Sequence, residues 1–185
     1  MKVANARLTN FRLRKKRFQR LRNSGVDTSR LMRTGGIAAL TFGQAVTGAS
    51  NKMLLQQRRA VAAAVTRSSG GGDLDVTLAL ADGSKRGRVD PAFEAHSQPI
   101  VFWATAVWHE WMARTTLSKL ISVARAKIAG AKNQWSKVHG PAAAYVATAN
   151  RLGWCVQGPL SVVTDDGTCL DYCVDSPAFV RAAVD

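Results

Sequence analysis

The sequence predicts a mainly α-helical protein: a basic three-helix bundle at the N-terminus, a helical middle, and a short β-hairpin near the C-terminus. Three observations predict it. Between Lys2 and Leu152 apolar residues recur chiefly at spacings of three and four, the period of one helix face. Cap and breaker residues stand at the ends of those stretches. Short apolar runs separated by turn residues, the pattern of paired strands, gather after Gly153.

From Lys2 to Asn23 there is no glycine or proline, and Ala4, Leu8, Phe11, Phe18 and Leu21 draw one apolar stripe, which predicts a single long helix. Asn23-Ser24-Gly25 supplies a left-handed stop, and the basic last turn suits the helix dipole. A second helix is expected from Asp27-Thr28-Ser29, any of which can cap, through Leu31 and Met32. Thr34-Gly35-Gly36 weakens it. Each glycine costs about 1 kcal/mol relative to alanine, so a kink or a close backbone approach is expected there. The apolar pattern resumes from Ile37 to Val46 and stops at Thr47-Gly48, after which Ser50 caps a third helix running through Leu54, Arg58, Arg59 and Ala60 to Val65.

Arg67-Ser68-Ser69-Gly70-Gly71-Gly72 reads as a flexible linker and sets the expected boundaries: a basic helical segment at 1–67, linker and loop at 68–90, and a helical region with the hairpin at 91–185. It is not a phosphate loop, since the completing Gly-Lys-Ser/Thr is absent. Asp73 to Ala81 alternates as a strand would at Val76, Leu78 and Leu80, yet its composition favours a short helix. Asp82 to Arg88 is a polar loop with a minor basic cluster, and Asp90-Pro91 is a cap with proline at the first helical position.

From Pro99, an apolar helix carries Phe102, Trp103, Val107, Trp108 and Trp111, three of the five tryptophans within nine residues. At these spacings they are expected in a core or an oligomer contact rather than stacked on bases. His109 and Glu110 adjoin them but diverge on a helix, so they form no acid–base pair. Thr115-Thr116 is expected to cap the next helix, with Leu117, Leu120, Ile121, Ala124 and Ile128 inward and Lys119, Arg125 and Lys127 outward. Gly140-Pro141 opens another, through Leu152.

The tail reads as strands at Trp154 to Val156, Leu160 to Thr164 and Thr168 to Val174, around turns at Gly158-Pro159 and Asp166-Gly167. Ser176-Pro177 opens a last helix that reaches Asp185 without a stop signal, as a truncated chain would. The three cysteines, Cys155, Cys169 and Cys173, are odd in number and point to free thiols in a reducing, intracellular compartment, nuclear or cytoplasmic. With His139 they match no paired zinc knuckle, and no cofactor is expected.

Charge is distributed very unevenly. Residues 1–67 hold 15 basic side chains against one acid, Asp27, and so carry the whole net charge of +14. Such a block calls for a polyanion, nucleic acid first. A bilayer is excluded as a solvent, because no apolar run approaches the roughly 18 residues a span needs. A secretory signal is excluded by the missing apolar core, and the helical reading explains the basic start better than a transit peptide does. The residues expected to neutralise phosphates are Arg12, Arg14, Lys15, Lys16, Arg17, Arg20, Arg22, Arg30, Arg33, Arg58 and Arg59.

Arg7, Leu8, Phe11, Leu21, Gly25-Val26-Asp27, Leu31, Thr34-Gly35-Gly36, Leu40-Thr41-Phe42-Gly43, Ser50, Leu54 and Arg58-Arg59 together resemble the helical segment after the palm in non-LTR (LINE-type) retroelement reverse transcriptases. The stretch from Gly70 to Asp75 and the Pro99 to Trp108 pattern look like the continuation in protist retroelement-derived open reading frames. The resemblance implies a thumb that grips a template–primer duplex by its backbone, with a basic helix, a helix bearing the Phe42-Gly43 pair, and a helix with paired arginines. It also implies a catalytic palm upstream in the same polyprotein. Asp165-Asp166 after Leu160 to Thr164 looks like a polymerase aspartate pair, but Asp166-Gly167 is a stronger signal for a hairpin turn. Two functions follow as expectations: a non-catalytic module that binds RNA–DNA or DNA duplexes irrespective of sequence, or a helical scaffold docking through its tryptophan-rich helix.

Overall fold

The computed structural model of the chain describes residues 2–66, 72–83 and 88–184. The predicted linker lies outside these residues except for Gly72, as does Ser84-Lys85-Arg86-Gly87 of the polar loop. The fold is mainly α, with a small antiparallel sheet near the C-terminus. Two compact units divide it: Met1–Phe42 with Ser50–Glu94, and Gly43–Ala49 with Ala95–Asp185. These do not follow the boundaries read at 67 and 90. Linker composition is a local signal, whereas the core that a helix joins depends on which apolar face it meets.

In the first unit the expected long helix is two, α1 (Lys2–Leu13) and α2 (Lys15–Asn23). Between them Arg14 N–H reaches Phe11 O at 3.0 Å and Arg17 N–H reaches Arg14 O at 2.9 Å. These three-residue bonds tighten the turn. Phe18 comes to rest on Phe11, ring centroids 5.5 Å apart. Asp27 caps α3 (Thr28–Leu31) by accepting from Ser29 N at 2.9 Å and Arg30 N at 3.3 Å. The weakness expected at the glycine pair takes the form of a π-helical turn, Met32–Gly36. It also makes the close approach: a Cβ at Gly36 would stand 2.7 Å from Sδ of Met32, which is fully buried.

After α4 (Ile37–Thr41), Phe42 is extended and Gly43 takes φ 85°, so the predicted helix from Ile37 to Val46 is broken and the Phe42-Gly43 pair lies between helices rather than on one. The short α5 (Gln44–Thr47) belongs to the second unit. Ser50 caps α6 (Asn51–Val65) through Met53 N at 3.2 Å, as expected. Asp73 caps α7 (Leu74–Asp82), so the ambiguous run is a helix, and it packs on α6 with Leu78 buried. Asp90 accepts from Ala92 N at 2.9 Å at the start of α8 (Pro91–Trp108). Leu8, Phe11, Met32, Leu40, Val61 and Leu78 are the centre of this unit's core.

The second unit is built on α10 (Pro141–Arg151), where every residue from Ala142 to Ala149 is buried. Its alanines let α5 and α9 (Arg114–Ala129) approach closely. Trp103 stacks on Tyr145 at 5.4 Å and 5°, and the Tyr145 and Tyr172 hydroxyls meet at 3.0 Å. The segment 43–49 is tied in from the far end of α10. Arg151 lies 4.0 Å over the Trp135 ring, within the 3-10 turn Gln134–Lys137, and donates to Ala49 O. Burial pushes the Arg151 guanidinium down to about 10, still cationic at neutral pH.

The structure corrects four expectations in this part of the chain. Trp111 is not on the tryptophan-rich helix, which ends at Trp108; Trp111 lies after a turn at Glu110 and packs edge-on against Phe102, 5.6 Å away. Ala113, not Thr115-Thr116, occupies the N-cap of α9, and Leu120 is exposed while Leu117, Ile121, Ala124 and Ile128 face the core. The third strand is shorter than Thr168 to Val174, because the Asp171 carboxylate accepts from Cys173 N at 2.9 Å and turns the chain. The sheet runs β1 (Cys155–Val156), β2 (Ser161–Val163), β3 (Cys169–Asp171), with Cys155 opposite Val163 and Val162 opposite Leu170. Ser176 caps the closing helix α11 (Pro177–Val184) through Phe179 N.

Candidate nucleic-acid interface

The eleven cations singled out in the sequence all lie in the first unit, and they divide into two groups. Arg12, Arg14, Lys15, Lys16, Arg17, Arg20, Arg30 and Arg59 are exposed. Most come from α2 and the end of α1, and α2 buries none of its residues, so its charge faces water. A helix with no acid to make i,i+4 pairs repels itself, and an anion at its surface relieves that repulsion.

The remaining three are tied into the fold. Arg22 is half-buried and donates through Nη1 to Ala64 O at 3.4 Å and to Thr66 O, which satisfies carbonyls at the C-terminus of α6. Arg33 donates to Asp82 O at 2.6 Å and lies 3.6 Å from both the Asp27 and Asp82 carboxylates. Arg58 grips Asp90, with Nε 3.0 and 2.9 Å from the two oxygens and Nη2 2.6 Å from Oδ2, and also reaches Asp75. Burial alone would lower the Arg58 pKa, but the bonds to Asp90 and Asp75 outweigh it and hold it above its ordinary value. These three stabilise the helix packing, and the surplus that faces solvent is the exposed group.

What charge counting could not reveal is that three of the exposed cations converge. Arg12, Lys15 and Arg59 rim a groove of about 280 Å³ whose floor is Phe11, Ala60, Ala63 and Ala64. Arg59 and its alanines are far from Arg12 and Lys15 in sequence and meet them where α2 and α1 pack on α6. No linear pattern signals it. Asp27, the sole acid of residues 1–67, caps α3 and does not line the groove.

The other sites weighed from sequence are accounted for by local structure. Asp165 Oδ1 accepts from Trp154 Nε1 at 3.2 Å. Asp166 Oδ1 accepts from Thr168 N at 3.0 Å and from the Thr164 hydroxyl, which lowers its pKa. The positive φ in this loop belongs to Gly167, at 87°. Asp166 therefore shapes the turn between β2 and β3, and Asp165 ties that turn to Trp154. Cys155, Cys169 and Cys173 are exposed free thiols, and among the described residues no three potential ligands gather to hold a metal. Nor is any described helix long and apolar enough to cross a membrane. The second unit has a hollow of about 370 Å³ lined by Trp108, Glu110, Met112, Arg114 and Cys173, among others.

No family model, no curated protein and no solved structure matches the chain.

Proposed function

We propose that the chain is a non-catalytic nucleic-acid-binding module that grips RNA–DNA or DNA duplexes by their phosphates without reading sequence, as a fragment of a LINE-type reverse transcriptase would. The supporting observation is the solvent-facing cationic array on α1, α2, α3 and α6, from Arg12 through Arg20 to Arg30 and Arg59, in a segment whose one acid is Asp27. Exposed guanidinium and ammonium groups on helices suit a repeating anion and carry no means of reading a base by themselves. Catalysis would belong to a palm upstream in the same polyprotein, in a nuclear or cytoplasmic setting.

The test is a salt series with the full chain and blunt DNA or RNA–DNA duplexes of unrelated sequence. Affinity is expected to be uniform across sequences, and the slope of log affinity against log salt to approach about −0.9 per phosphate contact. With five or so contacts that is a loss of several hundredfold between about 50 and 200 mM salt. Binding that survives high salt, or that prefers one sequence strongly, overturns the reading. The purified chain is expected to extend no primer with Mg²⁺ or Mn²⁺.

One observation favours a second reading, a scaffold that docks through the second unit. Trp108, Trp111 and Met112 are 39%, 53% and 45% exposed around one stretch. Apolar docking there would be nearly indifferent to salt, and the same titration separates the two.

A further inference from the structure

We propose that the groove between α1, α2 and α6 seats a single unpaired nucleotide, with its phosphate between Arg12, Lys15 and Arg59 and its base or sugar on the apolar floor. The inference rests on the nucleic-acid reading and goes beyond it, since phosphate gripping by itself needs no groove.

The reasoning starts from the mismatch between rim and floor. A duplex presents its phosphates on a convex, stiff surface. It could touch the rim cations but would leave the floor of Phe11, Ala60, Ala63 and Ala64 wet. Apolar surface held under three cations is matched by a ligand with a flat, weakly polar body and an anionic link. A nucleotide free of its partner strand has that form, as single-strand binders show when they combine a basic track with an apolar platform. Size agrees: at about 280 Å³ the groove is just below the range of roughly 300–1,000 Å³ for drug-sized ligands, too small for a peptide helix with several anchors. The walls are rigid on both sides. Phe11 is nearly buried and braced by Phe18, and Arg22 ties α2 to the end of α6. Charge favours the nucleic acid over an acidic side chain, because the same segment also exposes Arg14, Lys16, Arg17 and Arg20, which suits a ligand whose anionic charge repeats.

The experiment compares three DNA probes on the full chain by fluorescence anisotropy: a blunt duplex, the same duplex with a three-thymidine tail, and that duplex with an abasic tail of equal length. The tailed duplex is expected to bind roughly fivefold tighter than the abasic one, the low end for a base packed on a protein surface. Ala63→Leu, which fills the groove with a good helix former, should erase that difference and leave blunt-duplex affinity unchanged. Equal affinity for thymidine and abasic tails in the unmutated chain overturns the inference while phosphate gripping stands. Failure of all three probes to bind sinks both. Competition by an oligoglutamate peptide with the thymidine tail but not with the blunt duplex would assign the groove to an acidic protein segment and overturn the nucleotide. The abasic comparison uses the unmutated chain, so it decides even if Ala63→Leu fails to fold.

Discussion

Arg58 and Arg59 are neighbours in sequence with the same side chain, and the structure predicts opposite consequences for replacing each with methionine. Arg58 holds Asp90 with contacts of 2.6 to 3.0 Å, and the two side chains are 20% and 11% exposed. Removing one partner of a fully buried pair costs about 3–5 kcal/mol, and an exposed pair contributes about 0–1 kcal/mol. This pair lies near the buried limit but keeps some water, so Arg58→Met is expected to cost about 2–3 kcal/mol. For a chain of this length each kcal/mol lowers the melting temperature by about 2–4 °C, which gives a fall of about 4–12 °C. Asp90 also caps α8, so part of the loss should be recovered by replacing Asp90 with Asn in the Arg58→Met background, which removes the stranded charge and keeps an acceptor for Ala92 N–H. Arg59→Met should leave melting within about 0.5 kcal/mol, because Arg59 is exposed on the groove rim. In the duplex titration Arg59→Met should flatten the salt slope by about 0.9, and Arg58→Met should leave the slope unchanged. Circular dichroism melting and anisotropy read the two axes separately. If Arg58→Met flattened the slope with melting intact, the ion pairs described here would be wrong and the arginine pair would act as one phosphate clamp.

The two tyrosines of the chain are a buried pair, and burial raises both pKa values, with the shared hydrogen bond lowering Tyr145 and raising Tyr172. Their contribution to stability is complete below the unfolded value near 10 and is lost as pH rises above it through the raised folded values, so phenolate absorbance should appear only together with alkaline unfolding. Phenolate formation at pH near 10 with helicity intact would refute the burial. Gly48→Ala places a Cβ 2.6 Å from the Trp135 ring at φ 61°, and should cost about 2–4 kcal/mol by melting, whereas Gly25→Ala, at φ 84° in open space, should cost about 1–2 kcal/mol from the backbone alone. Equal losses would mean that the Trp135 contact does not exist. Asp166→Asn keeps an acceptor for Thr168 N–H on an exposed loop whose left-handed residue is Gly167, so melting should not change. A fall of several degrees, or template-dependent extension lost in the mutant, would contradict the turn role.

What the sequence determined by itself was whatever is settled within a few residues. Asp27, Ser50, Asp73 and Asp90 start helices because each carboxylate or hydroxyl reaches an N–H two or three positions on, a bond that needs only the local backbone. Pro141 behind Gly140, and Gly167 in the loop between β2 and β3, are legible for the same reason. The concentration of charge in the first 67 residues was equally plain, since it needs only counting. Which charges remain free did not follow from counting, because Arg22, Arg33 and Arg58 find their partners at Thr66, Asp82 and Asp90, on other elements. The break at Arg14, the departure of 43–49 into the second unit and the convergence of Arg12, Lys15 and Arg59 were likewise decided by tertiary structure. Each depends on a surface that exists only after distant helices have packed: Phe11 against Phe18, Gly48 against Trp135, α2 against α6. Local backbone chemistry starts and stops helices, and the meeting of their faces selects which side chains are left to bind.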